Sequence, residues 1–237
     1  MTIAAHAIKT SNDTRGDSTR TRILDSAEHL FSECGVNGVS LRTIVAHAGV
    51  NTAAVHYHFG SKYGLLEAVF ARRIVPIAKE RLDLLAKCHQ NPSLPPLLHQ
   101  IIAAFLEPGM TGRHGGATFA RLRARLAADA SEETRSLLVQ YFDDSSGQFL
   151  KALAKALPNL PATDLYWRFH FMLGTMVYTM ANPGRIQALT KNECDPSDMD
   201  ASLAYLVPFL AQGFLADPIP KAPIMLKSYK NNNKPKP

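Results

Sequence analysis

Ser40 to Leu65 reads SLRTIVAHAGVNTAAVHYHFGSKYGL. Two short helices separated by a glycine fit this stretch. Ser40 is a good N-cap for a helix over 41–48, Gly49 stops it, and Asn51 caps a second helix over 52–59. Gly60-Ser61 breaks the chain again, and Ser61 can cap a helix from Lys62 onward. Ile44, Val45, Ala48, Val50 and Val55 are apolar where two steeply crossed helices must touch, while Ala48 and Ala54 are small enough for close approach. A glycine at 49 suits a turn of positive φ, where a Cβ is costly. The pattern predicts a helix-turn-helix over about 40–59, a unit whose second helix enters a DNA major groove.

In such a unit the exposed residues of the second helix face DNA. Thr52, Ala53 and Ala54 offer methyls and a hydroxyl to base edges, and His56, Tyr57 and His58 have polar tips suited to phosphates and groove walls. Lys62 opens the next helix, whose N-terminal dipole also favours a phosphate, and Arg42 and Thr43 can hold the opposite backbone. His56 and His58 stand two apart on a helix and point to different sides, so no shared metal ion is expected.

The rest of the chain also reads as helices. Ile23, Leu24, Ala27, Leu30, Phe31 and Cys34 fall on one face of a helix over 22–34 that Gly35 ends. Leu65, Leu66, Val69, Phe70, Ile74 and Ile77 line the helix from Lys62, with Pro76 as an expected kink. Further helices are expected over 97–106, 117–128, 131–157, 163–180 and 196–216, with a proline-containing loop at 91–96, a glycine-rich loop at 107–116 and a stop at Asn182-Pro183-Gly184. No strand pattern occurs. The expected fold is all-α: a polar, disordered tail over 1–16, a DNA-binding unit over 17–77, a helical effector-binding and dimerisation unit over 78–216, and a disordered basic tail over 217–237.

Charge placement agrees with a polyanion partner. Of the net +6, residues 15–81 carry nine basic against six acidic side chains, and residues 217–237 five against one. Three widely spaced cysteines argue against a disulfide framework or a zinc site and suit a reducing cytoplasm. No run of about 18 apolar residues suggests a membrane span, and the N-terminus lacks a signal-peptide pattern. No nucleophile motif, phosphate loop or paired carboxylates suggest an enzyme, and no cofactor motif is present.

Residues 17–77 resemble the DNA-binding domain of the TetR family of repressors. The family pattern of an apolar residue, Ala-x-x-Ala-Gly-Val-Ser, small residues, Tyr-Tyr-His-Phe and Ser-Lys is met here by Val45-Ala46-His47-Ala48-Gly49-Val50-Asn51, Thr52-Ala53-Ala54-Val55, His56-Tyr57-His58-Phe59 and Ser61-Lys62. His56 replaces the first tyrosine, and Asn51 replaces a serine while keeping the capping role. The resemblance implies DNA contact by Arg42, Thr52, Ala54, His56, Tyr57, His58 and Lys62. It also implies a homodimer on a pseudo-palindromic site that lets go when a small molecule fills the C-terminal unit. Leu165 to Gly174 (LYWRFHFMLG) and Val69 to Arg73 (VFARR) are similar to a fatty-acid-responsive subgroup, which would make the effector a fatty acid or its thioester.

Within the C-terminal unit, Phe105, Phe119, Leu122, Arg123, Tyr141, Trp167, Met172 and Met176 are the candidate effector-binding residues, and Phe169, Leu173, Leu203, Leu206, Phe209 and Leu210 the candidate dimer interface. The apolar stripe over 165–180 suits subunit core and interface as well as a pocket. Arg121, Arg123 and Arg125 fit either a carboxylate anchor or a solvated face. An architectural DNA binder without a ligand is the alternative; it would lack a cavity in this half.

Overall fold

The caps foreseen at the helix-turn-helix set the geometry of the N-terminal part. In the computed structural model, Ser40 Oγ accepts from the Thr43 amide at 3.1 Å and opens α2 (Leu41–Ala48). Asn51 Oδ1 accepts from the Ala54 amide at 2.9 Å and opens α3 (Thr52–Phe59). Each satisfies an amide that the first helical turn leaves without a partner. Gly49 turns the chain at φ 63°. Ser61 Oγ accepts from the Gly64 amide at 3.0 Å at the start of α4 (Lys62–Cys88). Asn51→Ala is expected to destabilise the protein by about 1 kcal/mol, read as a lower urea midpoint at unchanged slope.

The structure describes residues 4–88, 97–129, 131–181 and 184–218, with side chains from residue 16 onward. The remaining helices are α1 (Ala4–Cys34), α5 (Leu98–Met110), α6 (Gly116–Ala128), α7 (Glu132–Ala156), α8 (Ala162–Ala181), α9 (Arg185–Leu189) and α10 (Met199–Leu215), with a 3₁₀ turn over Gly112–His114. No strand occurs among the described residues. The loop expected at 91–96, the Asn182-Pro183 stop and the basic tail over 219–237 lie outside them.

Several elements differ from the sequence reading. The polar segment expected as a tail over 1–16 instead extends α1 back to Ala4. Once residues 23–31 are pinned by packing, each added residue brings a hydrogen bond at small entropic cost, and no proline intervenes. Helix α5 continues through Pro108 to Met110 where a loop was expected, because Leu106, Pro108 and Met110 are all buried and tertiary packing overrides the proline's low propensity. Cys34, assigned to the apolar face, is exposed in the last turn of α1. The short α9 follows Gly184 and has too few apolar residues to register as a periodic pattern.

Two hydrophobic clusters form the interior. One joins the distal half of α4 to α5, α7, α8 and α10, through Leu85, Ile101, Phe105, Phe149, Phe169, Met172 and Phe214 among others. The other unites α1–α4 through Ile23, Phe31, Ile44, Val55, Leu65 and Phe70, and it also takes in Phe119, Leu122 and Leu126 of α6 and Leu137 of α7. The boundary expected near Pro76 therefore does not separate two cores. Helix α4 runs unbroken through Pro76 into both clusters, and α6 closes the α1–α4 cluster from outside the 17–77 segment.

Polar contacts fasten the same junction. Glu28 of α1 is buried and accepts from Arg73 Nε at 3.0 Å and from Arg72, both on α4; Arg72 also reaches Asp25 at 2.7 Å. Arg125 of α6 donates to the carbonyls of Ser32 and Glu33 at 2.8 and 2.9 Å, occupying orphan acceptors in the last turn of α1, and Arg121 pairs with Glu33 at 2.7 Å. Two of the three arginines weighed as a ligand anchor thus hold α6 to α1. Only Arg123 turns inward.

Candidate nucleic-acid interface and effector cavity

The helix-turn-helix leaves one face of α3 without a packing role. Val55 is fully buried beneath it, and Ala54 is half-buried against the same core, so only part of its methyl faces outward. Thr52, Ala53, His56 and Tyr57 are exposed. Tyr57 is 85% exposed, the largest value among the bulky apolar side chains described, which no contribution to folding explains. His58 is half-buried, its ring between those of Tyr57 and Phe59 at centroid distances of 5.0 and 5.9 Å. Lys62 is half-buried at the start of α4, and Arg42 and Thr43 are exposed in the first turn of α2. Thr43 Oγ1 lies 2.8 Å from Ser40 Oγ, which partly commits its hydroxyl to the cap.

The ring of His56 is tied to its own helix end, its Nδ1 lying 3.0 Å from the Gly60 carbonyl. A carbonyl can only accept, so Nδ1 carries the hydrogen in that contact. The neutral ring then presents Nε2 outward as an acceptor, and only the protonated ring donates to a phosphate. Sequence reasoning missed Arg22, which donates through Nη2 to the carbonyls of Ala48 and Gly49 at 2.6 and 3.0 Å. This side chain clamps the turn, and a Cβ on Gly49 would lie 2.8 Å from its Nη2, a second reason for glycine besides the positive φ.

In the C-terminal half, α4–α8 surround a cavity of about 580 Å³, within the range of small-molecule sites. Its walls are mainly apolar, with Phe105, Leu138, Phe142, Leu150, Phe169, Leu173, Met176 and Val177. Val139 of α7, half-exposed, and the exposed Asp143 mark its mouth. Deep inside lie Arg81 and Arg123, 1% and 5% exposed.

Of the residues expected to bind an effector, Phe105, Arg123 and Met176 line this cavity. The other five do not. Phe119 and Leu122 are buried in the N-terminal cluster, on the side of α6 turned toward α1 and α4. Tyr141 turns toward α4, where its hydroxyl donates to Glu67 at 3.4 Å. Met172 is sealed within the subunit core, and Trp167 is 56% exposed on the outer face of α8. Helical periodicity identifies a stripe without saying which neighbour it meets.

The dimer candidates divide in the same way. Phe169, Leu206 and Leu210 are buried within the subunit, Leu173 lines the cavity, and Leu203 is half-buried against the core. Only Phe209 is exposed, at 69%. The outer apolar face belongs instead to Tyr166, Trp167, Phe171 and Tyr178 of α8, with Tyr205 and Phe209 of α10. A hollow of about 860 Å³ lined by Tyr178, Leu189, Tyr205 and Phe209 opens on that face; although larger than the internal cavity, it is bounded by the same exposed rings.

A capped helix-turn-helix packed on a larger helical unit with an internal apolar cavity defines a helix-turn-helix regulator class. Residues 23–69 match the family described as bacterial regulatory proteins, tetR family, and residues 99–213 match the tetracyclin repressor-like C-terminal domain. The chain belongs to the TetR family. Among curated relatives, the HTH-type transcriptional repressor BepR of Brucella suis biovar 1 is 36% identical over 89 residues, which are 38% of this chain and 42% of that protein. The chain thus spans less than half the length of such curated relatives. The fold is similar to that of the hemolysin II regulator HlyIIR, with TM-score 0.60, 19% identity, and coverage of 83% of this chain and 98% of that one. It is also similar to the regulator FadR of Bacillus subtilis in complex with stearoyl-CoA, with TM-score 0.56, 15% identity, and coverage of 81% and 98%.

Proposed function

We propose that this chain is a cytoplasmic repressor that binds a pseudo-palindromic operator as a homodimer and leaves it when an apolar or amphipathic small molecule fills the internal cavity. The observation that carries the DNA-binding part is the outward face of α3, where Thr52, Ala53 and Tyr57 are exposed without a packing role beside a buried Val55, and His56 is exposed with its ring held on the Gly60 carbonyl. In this reading α3 lies in the major groove. Ala53 and Ala54 meet base edges or thymine methyls, and Thr52, Tyr57 and His58 hold the groove walls. Arg42, Thr43 and Lys62 take phosphates on either side, and His56 does so as the protonated ring. Two copies present their α3 helices one DNA turn apart, roughly 34–36 Å, or a longer multiple.

The cavity supports regulation by a ligand over a purely architectural role. It sits against α6, the helix whose other side closes the DNA-binding core and holds the end of α1. A ligand that binds one setting of α6 more tightly than another shifts the population of α1–α4 arrangements by that difference in affinity. FadR, with stearoyl-CoA bound, is a fold neighbour in which the ligand is a fatty-acyl thioester, and a fatty acid or its thioester is a fitting effector class here. The exposed rings of α8 and α10 are the proposed dimer face, two helices from each subunit making a four-helix bundle.

Binding selection from random duplex DNA tests this function. An enriched pseudo-palindrome is the expected outcome. Recovery of DNA without a shared site would favour the architectural alternative and overturn sequence-specific repression. On the selected site, Lys62→Ala is expected to weaken all sequences alike and to flatten the dependence of log K on log salt by about one unit; an unchanged slope would remove Lys62 from the phosphate contacts.

A further inference from the structure

Arg81 and Arg123 are the two arginines enclosed by the cavity, and neither has an acidic partner among the described residues. Arg81 donates through Nε to the Phe105 carbonyl at 2.7 Å and lies over the Phe105 ring at 3.9 Å. Its Nη2 has a sulfur neighbour, Met176 Sδ, at 3.7 Å. Arg123 has only long contacts, the Gly109 carbonyl at 3.4 Å, Met176 Sδ at 4.0 Å and the Phe142 ring at 5.2 Å. Neither forms an ion pair with a described carboxylate; Asp143, the one acidic residue lining the cavity, sits exposed at the mouth. The two guanidinium groups converge, since both touch Met176 Sδ and both crowd the space beside Gly109. A Cβ there would lie 2.7 Å from Arg123 Nη1 and 3.4 Å from Arg81 Nη2.

Such an arrangement is costly unless something negative completes it. Burying a guanidinium is tolerated when a carboxylate or phosphate pairs with it, and two like charges held together in an apolar enclosure repel each other more strongly than in water. Burial, and for Arg81 also the nearby Arg123, pushes both guanidinium groups down from their ordinary range, Arg123 to about 10, but both stay charged at neutral pH. Guanidinium groups hold a carboxylate with paired, charge-assisted hydrogen bonds. The apolar walls from Leu138, Phe142, Leu150 and Val177 can enclose an apolar body between those groups and the mouth.

We infer that the cavity takes a carboxylate-bearing apolar molecule, its carboxylate turned inward onto Arg81 and Arg123. This rests on the reading of the cavity as the effector site and adds the charge and orientation of the ligand. An acid with a free carboxylate fits this head-first arrangement; a neutral alcohol of equal length does not.

Calorimetric titration of the full chain with dodecanoate and with 1-dodecanol, below their aggregation limits, tests the inference. Dodecanoate is expected to bind at least about tenfold more tightly than the alcohol, and Arg123→Met to weaken dodecanoate about 10–100-fold while leaving the alcohol unchanged. Because Arg123 has no strong partner to lose, the unliganded Met variant should melt no lower than the parent, which separates lost recognition from lost folding; Arg81→Met provides a second variant with the same expected selectivity. Equal binding of acid and alcohol, unmoved by Arg123→Met, would overturn the inference and leave an uncharged effector in the cavity. Binding of neither probe would overturn it as well. Dodecanoate that binds through Arg123 yet leaves the operator complex intact would uphold the inference and defeat release by effector instead.

Discussion

Phe119→Ala is expected to lower the stability of the protein by about 3–5 kcal/mol and to strip protection from the helices of the helix-turn-helix unit, although Phe119 lies some forty residues past the 17–77 segment. The ring is 2% exposed and packs against Phe70 of α4 at a centroid distance of 5.8 Å, in the cluster that contains Ile23, Phe31 and Leu65. Its removal leaves a cavity at the meeting of α1, α4 and α6, where rigid helices collapse poorly into the gap. Amide hydrogen exchange separates this outcome from its opposite. If α6 completes the core, the loss of protection extends through α1 and α4 as well as α6. Protection lost in α6 alone would mean that α1–α4 fold as an autonomous unit, and α6 would then have no packing route by which a ligand could bias the recognition helix. The thermal midpoint should fall by about 6–20 degrees if the whole chain unfolds as one cooperative unit.

The helix-turn-helix was legible to the residue because its signals are local. Ser40, Asn51 and Ser61 accept from amides three residues on, Gly49 donates its own amide to the Ala46 carbonyl, and the observed bounds of α2 and α3 are those read from the caps. The apolar positions Ile44, Val45 and Val55 lie on the inward side of two short helices whose ends the caps fix, and all three are buried in the cluster shared by α1–α4. In the C-terminal half each helix has several neighbours. Trp167 and Met172 stand five residues apart on the same amphipathic helix, yet one is exposed and the other sealed. Which side faces the cavity, the core or the outside depends on how α8 is rotated against α5, α6, α7 and α10, and periodicity does not encode that rotation.

One signal of the cavity was nonetheless present in the sequence. Ile77, Arg81 and Leu85 follow one another at four-residue spacing, as do Phe119 and Arg123. In each case a cation interrupts an apolar stripe, and both cations prove to be buried. An arginine at a core position of a helix is rarely left without a partner. Arg121 and Arg125 flank Arg123 by two residues on either side, which turns them away from it, and they meet the end of α1 instead. The phase relative to the apolar stripe distinguished the inward arginine from its neighbours, where the cluster of three arginines alone could not.

The other large effect is expected at the outer face of α8 and α10. Phe171→Glu combined with Phe209→Glu should yield monomers in sedimentation and reduce operator affinity by about 10²–10⁴-fold, the gain that two linked half-site contacts hold over one. Both side chains are more than half exposed, so charging them leaves the subunit core untouched and the melting of the isolated chain should reflect lost association alone. Leu206 or Leu210 would be a poor choice for the same experiment. Both are buried within the subunit, and a glutamate there would unfold it whether or not a dimer exists. The exposed aromatic side chains of α8 recur along one side of the helix, Trp167 and Phe171 lying four residues apart with ring centroids at 5.8 Å and Tyr178 two turns beyond. With Tyr205 and Phe209 they form an apolar face that a monomer would present to water. A dimer that persists in the double variant would move the interface to another face, and the spacing of the two α3 helices would then have to be rebuilt from that contact.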